Sequence, residues 1–227
     1  TNEIFEAHHD FAAAKTAYVF KTMVDPFIGK YSFVKVCSGV LKGDDVLYNP
    51  ESDAEAKIGK IYTLSGNKPV EVQELFAGDI GAIAKLTSTK TGDTLSTKNT
   101  PVSYGRTEYS KPYTYMKYVV NNKGDEDKVS QALAKMMAED VTLKVVNDSE
   151  NRQSLIYGMG DQHLEVTASK LAERYKVGIR LETPKVAFRE TIRKNSDVDT
   201  KYKKQSGGHG QYGHVKMRFE PSGDLDT

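Results

Sequence analysis

Cysteine is almost absent from this sequence, and its scarcity limits the class of protein. The 227 residues include one cysteine, Cys37. One cysteine cannot form an intramolecular disulfide, which argues against a disulfide-stapled secreted domain and favours the reducing cytoplasm. Cys37 lies in an alternating apolar run, so we expect it to be a buried small hydrophobe.

Long apolar runs and targeting signals are missing too. No stretch approaches the roughly 20 apolar residues that a membrane-spanning helix needs. Residues 1–15 lack the basic and then apolar order of a secretory signal peptide, and position 1 is not Met. We therefore expect a cytoplasmic protein with no membrane association, and we expect this sequence to be an internal piece of a longer chain.

The sequence patterns of common catalytic and metal sites are also lacking. There is no Gly-x-Ser-x-Gly elbow, and the five histidines have no metal-ligand spacing. Residues 122–125 spell the Asn-Lys-x-Asp that GTPases use to read guanine, but a phosphate loop at 59–60 would need Ser or Thr where Ile61 stands. We predict no catalytic residue, metal site or cofactor in this piece, and a polar turn at 122–125.

Charge is spread unevenly along a chain of otherwise ordinary globular composition. The formal net charge is +1, yet residues 185–218 hold nine Lys and Arg against three Asp and Glu. A basic end of this kind is able to approach phosphates. A solvated basic face explains the charge equally well, so charge alone leaves both interpretations open.

Short strands separated by glycine turns dominate the first hundred residues. The predicted strands are 31–37, 46–48, 57–64, 70–75 and 80–84. Glycine-containing turns between most of them are typical of a closed or sandwiched β-domain. We predict a β-barrel over 18–100, preceded by an N-terminal lead-in at 1–17 and followed by a linker at 101–111.

The order of elements changes over residues 112–183. Strands are predicted at 113–120, 142–146, 154–157 and 177–181, with two helices between them. The first helix is capped by Asp125 and presents Val129, Ala132, Leu133 and Met136 on one face. The second opens at Asp161 and presents Leu164, Ala168, Leu171, Ala172 and Tyr175. The order β-α-β-β-α-β predicts a ferredoxin-like domain.

A third segment, 184–227, carries a basic stretch rich in glycine. Strands are predicted at 186–192 and 213–219, joined by residues 201–212. Two strands bury little core, so we expect the start of a larger α+β domain. The predicted fold class is multidomain α+β, a β-barrel followed by a ferredoxin-like domain and a partial α+β segment.

Several of these segments together resemble bacterial elongation factor G, a translational GTPase. Those in the barrel are residues 21–30, 38–43, 77–82 and 91–95, those in the ferredoxin-like domain are 133–140 and 158–165, and those beyond it are 188–192 and 205–214. They follow the order and spacing of the family over nearly the whole chain. The resemblance implies domains II and III and the start of domain IV.

The resemblance also implies a function. A protein of this family binds the ribosome with GTP and promotes translocation of tRNA and mRNA, and its fourth-domain tip lies near the tRNA–mRNA duplex in the decoding region. We therefore expect a monomeric, ribosome-binding piece that is not itself an enzyme, with GTP and Mg²⁺ held by a GTPase domain elsewhere in the parent. The expected RNA-binding residues are Lys203, Lys204, Gln205, Ser206, Gly207, Gly208, His209, Gly210, Gln211 and Tyr212, with Lys201 nearby.

Other interpretations are also compatible with the sequence. Val141, residues 161–162 and His209 depart from the family pattern, which is compatible with a divergent elongation factor G paralogue or a ribosomal protection protein. A small-molecule-sensing regulatory protein built on the ferredoxin-like unit is a more distant alternative. It leaves the basic glycine stretch unexplained. For His163 a core or capping role is favoured over direct contact with a partner.

Overall fold

The computed structural model describes residues 9–25, 29–66, 68–188, 190, 192–205 and 207–221. The chain divides into two compact units, residues 1–185 and residues 186–227. The first unit holds an all-β part and an α+β part, and the second holds a β-hairpin. The bounds of the individual domains stay predictions.

The all-β part is an antiparallel, barrel-like arrangement around one core. Its strands are β1 (Thr16–Asp25), β2 (Gly29–Ser38), β3 (Val40–Lys42), β4 (Val46–Asn49), β5 (Ala54–Lys57), β6 (Ile61–Ser65), β7 (Lys68–Val72), β8 (Glu74–Phe76), β9 (Ile80–Ala84) and β10 (Thr94–Ser96). Eight pair in the order β5-β4-β10-β1-β2-β9-β6-β7, and β3 pairs with β8. Both sheets contribute to one apolar core, which includes Val34, Leu41 and Leu75.

The predicted strands are confirmed in this part, with two divisions. The 57–64 run is two strands, because Ile58 bonds Asp44 and Asp45 instead of continuing the ladder. The 70–75 run is divided between β7 and β8, which belong to different sheets. The expectation that Cys37 is buried was wrong. It is half-buried on the face of β2 opposite Val34 and Val36.

The α+β part has the predicted ferredoxin-like order. Its elements are β11 (Thr114–Val120), α1 (Glu126–Glu139), β12 (Lys144–Asp148), β13 (Gln153–Gly158), α2 (Asp161–Tyr175) and β14 (Ile179–Glu182). The strands pair antiparallel in the order β12-β13-β11-β14. Both helices pack on one face of this sheet and enclose a second core.

The helix faces follow the predicted spacing with small corrections. All four residues of the α1 stripe are buried, but the Asp125 side chain makes no capping bond and instead accepts hydrogen bonds from Lys128 and Asn122. In α2, Leu164 and Leu171 are buried as predicted and Ala172 is exposed. Thr167 takes the remaining buried position, where its hydroxyl donates to the His163 carbonyl at 2.8 Å.

The second unit is a long antiparallel hairpin. Its strands are β15 (Ser196–Lys204) and β16 (Gln211–Phe219). The predicted strand at 213–219 is confirmed, whereas β15 was not predicted. The strand predicted at 186–192 was wrong for residues 186–188, 190 and 192, which take part in no described strand pairing, while residues 189 and 191 lie outside the described part.

No helix in the described part of the chain is long and apolar enough to cross a lipid bilayer.

Strand β1 pairs with β10 only at residues 16–18. Further along β1, side chains of the ferredoxin-like part bond the edge that β10 does not reach. The Val24 amide donates to Glu139 Oε1 at 2.7 Å, and Arg174 Nη2 donates to the Val24 carbonyl at 3.0 Å. Arg174 also donates to both Glu139 carboxylate oxygens, at 2.9 and 3.1 Å. A carboxylate and a guanidinium therefore take the place of a neighbouring strand. We call Val24, Glu139 and Arg174 the edge clamp.

Removal of the clamp carboxylate tests this junction. In Glu139→Ala the Val24 amide loses a charged acceptor, and such hydrogen bonds contribute about 1.5–3 kcal/mol. We expect hydrogen exchange at Val24 to accelerate about 10- to 100-fold, measured by NMR or by mass spectrometry of β1 peptides. Glu173→Ala, an exposed change on the same helix as Arg174, serves as the control. Equal exchange at Val24 in the two variants would contradict the clamp.

Candidate nucleic-acid interface

The predicted RNA-binding residues occupy one end of the β15–β16 hairpin. Lys204 pairs with Gln211 and Lys203 pairs with Tyr212, so these four residues close the strand ladder. Residues 205–210 then form the connection, which we call the tip loop. Ser206, one of the predicted residues, lies outside the described part. The remainder of the predicted set is exposed.

Two glycines give the tip loop its backbone path. Gly207 and Gly208 have φ of +75° and +54°, a region that residues with a Cβ rarely adopt. An added Cβ at either position would meet nothing within 4 Å, so the space around this backbone is open. Gly213, the next glycine but one along the chain, lies within β16 opposite Tyr202. Among the described residues of the hairpin, backbone with positive φ and open space around it therefore lies in the tip loop.

The alternation of strand side chains gives the hairpin two unlike faces. One face, the charged face, carries the register pairs Lys203–Tyr212, Lys201–His214, Asp199–Lys216 and Asp197–Arg218. The other, the apolar face, carries Lys204–Gln211, Tyr202–Gly213, Thr200–Val215, Val198–Met217 and Ser196–Phe219. Lys203 and Lys204, adjacent in sequence, therefore point to opposite sides.

The charged face combines cations with an aromatic ring near the tip. Tyr212 is 68% exposed and stands beside Lys203 in the register. Four cations, Lys201, Lys203, Lys216 and Arg218, share the face with two carboxylates. Lysines supply salt-dependent attraction to phosphates, and an exposed tyrosine ring can stack on an unpaired base.

A small ion-pair network organises the middle of the charged face. Asp199 Oδ1 lies 2.5 Å from His214 Nε2, and its Oδ2 lies 2.9 Å from Lys216 Nζ. Hydrogen bonds from Lys216 and His214 hold the pKa of Asp199 below its usual value. Sequence reasoning missed this network, although the period-two spacing of charges in 197–203 and 212–218 could have revealed it.

The His163 side chain contacts the backbone just before α2 and a carboxylate at the end of α1. Its Nδ1 accepts a hydrogen bond from the Met159 amide at 3.1 Å, so Nε2 carries the proton and faces Asp140 Oδ2 at 3.0 Å. Burial raises the pKa of Asp140, but hydrogen bonds from Thr142 and His163 outweigh it and hold that pKa below its usual value. The contact fixes the start of α2 against the end of α1.

The guanine-like tetrapeptide is a turn. Residues 122–125 lead into α1, and Asn122 Nδ2 lies 3.4 Å from Asp125 Oδ2. Residues 59–60 lie between strands β5 and β6, so no helix N-terminus follows them. Within the described residues, no group of three or more His, Cys, Asp or Glu side chains could hold a metal ion.

Comparison with known proteins gives a consistent family assignment along the chain. Residues 14–98 match the model of elongation factor G domain 2, residues 110–183 match domain III and residues 184–226 match domain IV. A crystal structure of a protein from Thermus thermophilus is similar over 93% of this chain, with 32% sequence identity and a TM-score of 0.78. The chain spans 32% of the length of that protein.

The ion-pair network of the charged face is open to a direct test. In Lys216→Ala one of the two hydrogen-bond donors to Asp199 is lost. We therefore expect the pKa of Asp199 to rise toward its usual value, and NMR titration of the carboxyl carbon measures it. Because the folded-state pKa is lowered, the network stabilises the hairpin above the unfolded-state pKa and is lost as pH falls through the folded-state value. Lys201→Ala, on the same face, is the control. An unchanged pKa in Lys216→Ala would show that the contact does not persist in solution.

Proposed function

The chain belongs to the elongation factor G family, and on that premise we propose that it is the ribosome-binding part of a translocation factor. Its parent promotes GTP-dependent movement of tRNA and mRNA in the cytoplasm. GTP and Mg²⁺ are bound by a GTPase domain outside this sequence, and this chain acts with that domain in cis, as a monomer. The observation that carries the proposal is the hairpin, with its open glycine loop and its lysine-rich charged face.

The hairpin has the features that contact with structured RNA requires. The exposed lysines neutralise phosphates, and the open backbone at Gly207 and Gly208 permits close approach. Gln205, Gln211 and Tyr212 supply hydrogen-bonding and stacking groups for unpaired nucleotides. This combination favours the tRNA–mRNA duplex and the ribosomal RNA around it as the partner.

The charged face extends the contact beyond the tip. Lys201 and Lys203 lie on one side of the hairpin and can follow a phosphate backbone. Lys216 and Arg218, on the same side, are paired with Asp199 and Glu220. Lys204 lies on the other side and can reach the partner only from the tip. RNA that contacts the tip loop therefore meets positive charge along one face and apolar side chains along the other.

The edge clamp suggests how the first unit contributes. The barrel-like part and the ferredoxin-like part are joined through the backbone of Val24 and two charged side chains. A junction of this kind can pass a displacement of the ferredoxin-like part to the end of β1. We propose that it helps relay the nucleotide state of the GTPase domain.

The direct test of ribosome binding is co-sedimentation with bacterial ribosomes across a salt series. The variant carries Lys203→Ala, Lys204→Ala and Gln205→Ala. Each lost phosphate contact lowers the slope of log affinity against log salt by about 0.7–0.9. We therefore expect weaker pelleting at low salt and a shallower salt dependence in this variant.

A composition-matched control distinguishes a binding contribution of the tip from an effect of net charge. Lys57→Ala, Lys123→Ala and Gln131→Ala remove the same residue types from exposed positions in the first unit. We expect this control to pellet like the unchanged chain. Equal loss in both triple variants would mean that binding depends on net charge alone and would overturn the assignment of the tip.

A further inference from the structure

The ferredoxin-like sheet has one covered face and one face without a helix layer. Met116, Ile156 and Leu181 point toward the helices and join the core beneath them. Their chain neighbours alternate to the opposite side, because successive strand residues face opposite ways. We call the side without helices the open sheet face.

A stacked pair of tyrosines lies on the open sheet face. Tyr115 on β11 and Tyr157 on β13 are direct register partners on the two central strands. Their ring centroids are 5.0 Å apart and the ring planes differ by 23°. Tyr115 is 39% exposed, and Tyr113, just before β11, is 80% exposed. The inner faces of the two rings meet each other, so another planar ring continues the stack on an outer face, and the exposed Tyr115 is placed to offer one.

Positively charged side chains lie on the same face as the tyrosines. The exposed Lys144 is the register partner of Tyr157 on β12, so Lys144, Tyr157 and Tyr115 form a row across three strands. On the same face Lys117 Nζ lies 2.7 Å and Arg180 Nη2 lies 2.6 Å from Glu182 carboxylate oxygens. The carboxylates on this face, Glu182 and Asp148, are both engaged by neighbouring side chains. Lys144 is therefore well placed to meet an anion beside the stack.

The other end of the open sheet face is closed by the chain itself. The Gln153 side chain donates to the Lys185 carbonyl at 2.8 Å and accepts from the Lys185 amide at 2.9 Å. The segment after β14 is thereby held against the Gln153 end of β13. Leu155 on this face is only 5% exposed. The tyrosine row lies toward the opposite end of this face, where Tyr115 and Lys144 are exposed.

We propose that the tyrosine row binds unpaired RNA nucleotides, with bases stacking on Tyr115 and Tyr157 and a phosphate lying on Lys144. Four-stranded sheets of RNA-recognition modules bind single strands in this way, through aromatic rings on the sheet and nearby cations. The planar rings and the lysine beside them suit a nucleotide, which has a planar base and a charged phosphate. This site is separate from the tip loop and does not depend on the function proposed for it.

The test measures binding of a short fluorescein-labelled oligouridylate to the full chain by anisotropy. The starting protein carries Lys203→Ala, Lys204→Ala and Gln205→Ala, so the RNA contacts proposed for these three residues are already removed. Adding Tyr115→Leu and Tyr157→Leu removes the rings and keeps apolar bulk, and we expect affinity to fall about 5- to 100-fold. Adding Tyr115→Phe and Tyr157→Phe keeps the rings and is expected to change affinity less than about twofold.

Photocrosslinking with RNA that contains 4-thiouridine locates the contact. We expect crosslinked peptides that contain Tyr115 or Tyr157, and we expect their loss in the leucine pair. Far-ultraviolet circular dichroism and thermal unfolding of both pairs report whether the sheet is intact. Equal affinity of the leucine and phenylalanine pairs, or crosslinks that avoid β11 and β13, would overturn the proposal. Absence of RNA binding at low salt, with tyrosine-dependent self-association, would identify this face as a protein contact instead.

Discussion

The antiparallel register of β15 and β16 is the constraint on which the candidate interface depends. Because Lys204 pairs with Gln211, every second residue of both strands falls on the same side of the hairpin. Lys201, Lys203, Lys216 and Arg218 then share one face, and Val198, Val215 and Met217 share the other. A slip of one residue in one strand would mix the two sets. The pairing across the hairpin therefore determines which charges can act together on a nucleic acid.

In the first unit, side chains form hydrogen bonds with the backbone at the edge of a strand. Beyond Val19, whose amide and carbonyl bond Asp93 and Gly92, no described strand pairs with β1 on the side of β10. An open strand edge leaves amide and carbonyl groups without partners. At Val24, Glu139 and Arg174 supply both missing partners. Hydrogen bonding to Glu139 also raises the pKa of Arg174. The two parts of the unit thus meet through hydrogen bonds between charged side chains and the backbone of a strand.

The sequence predicted the ferredoxin-like domain well because its signals are local. The stripe of Val129, Ala132, Leu133 and Met136 repeats at the helical period, and all four are buried. Strand β1 was missed because its pairing with β2 contains two register shifts, which interrupt the alternation of apolar residues. Strand β15 was missed because all of its residues are exposed, so it carries no buried-face pattern. It forms through its pairing with β16.

The candidate interface could be predicted only in part, because its composition is a local signal and its strand pairing is not. The basic, glycine-rich stretch is visible in the sequence, but its division between two faces follows from a pairing that composition does not reveal. Asp199 is remote from Lys216 in sequence and contacts it only because the strands are in register. The stacking of Tyr115 on Tyr157 depends on strand order in the same way. These contacts follow from pairing between strands that are distant in sequence, and local residue patterns do not reveal that pairing.

The claim that the tip loop approaches ribosomal RNA is tested most directly by a tethered cleavage reagent. Since Cys37 is the only cysteine, a Cys37→Ser chain with His209→Cys accepts a single Fe(II)–EDTA group at the tip. We expect strand scission in the small-subunit RNA of the decoding region when this protein is bound to ribosomes. The same reagent on Lys57→Cys in the barrel-like part should leave that region intact. Cleavage from position 209 no stronger than from position 57 would contradict the account.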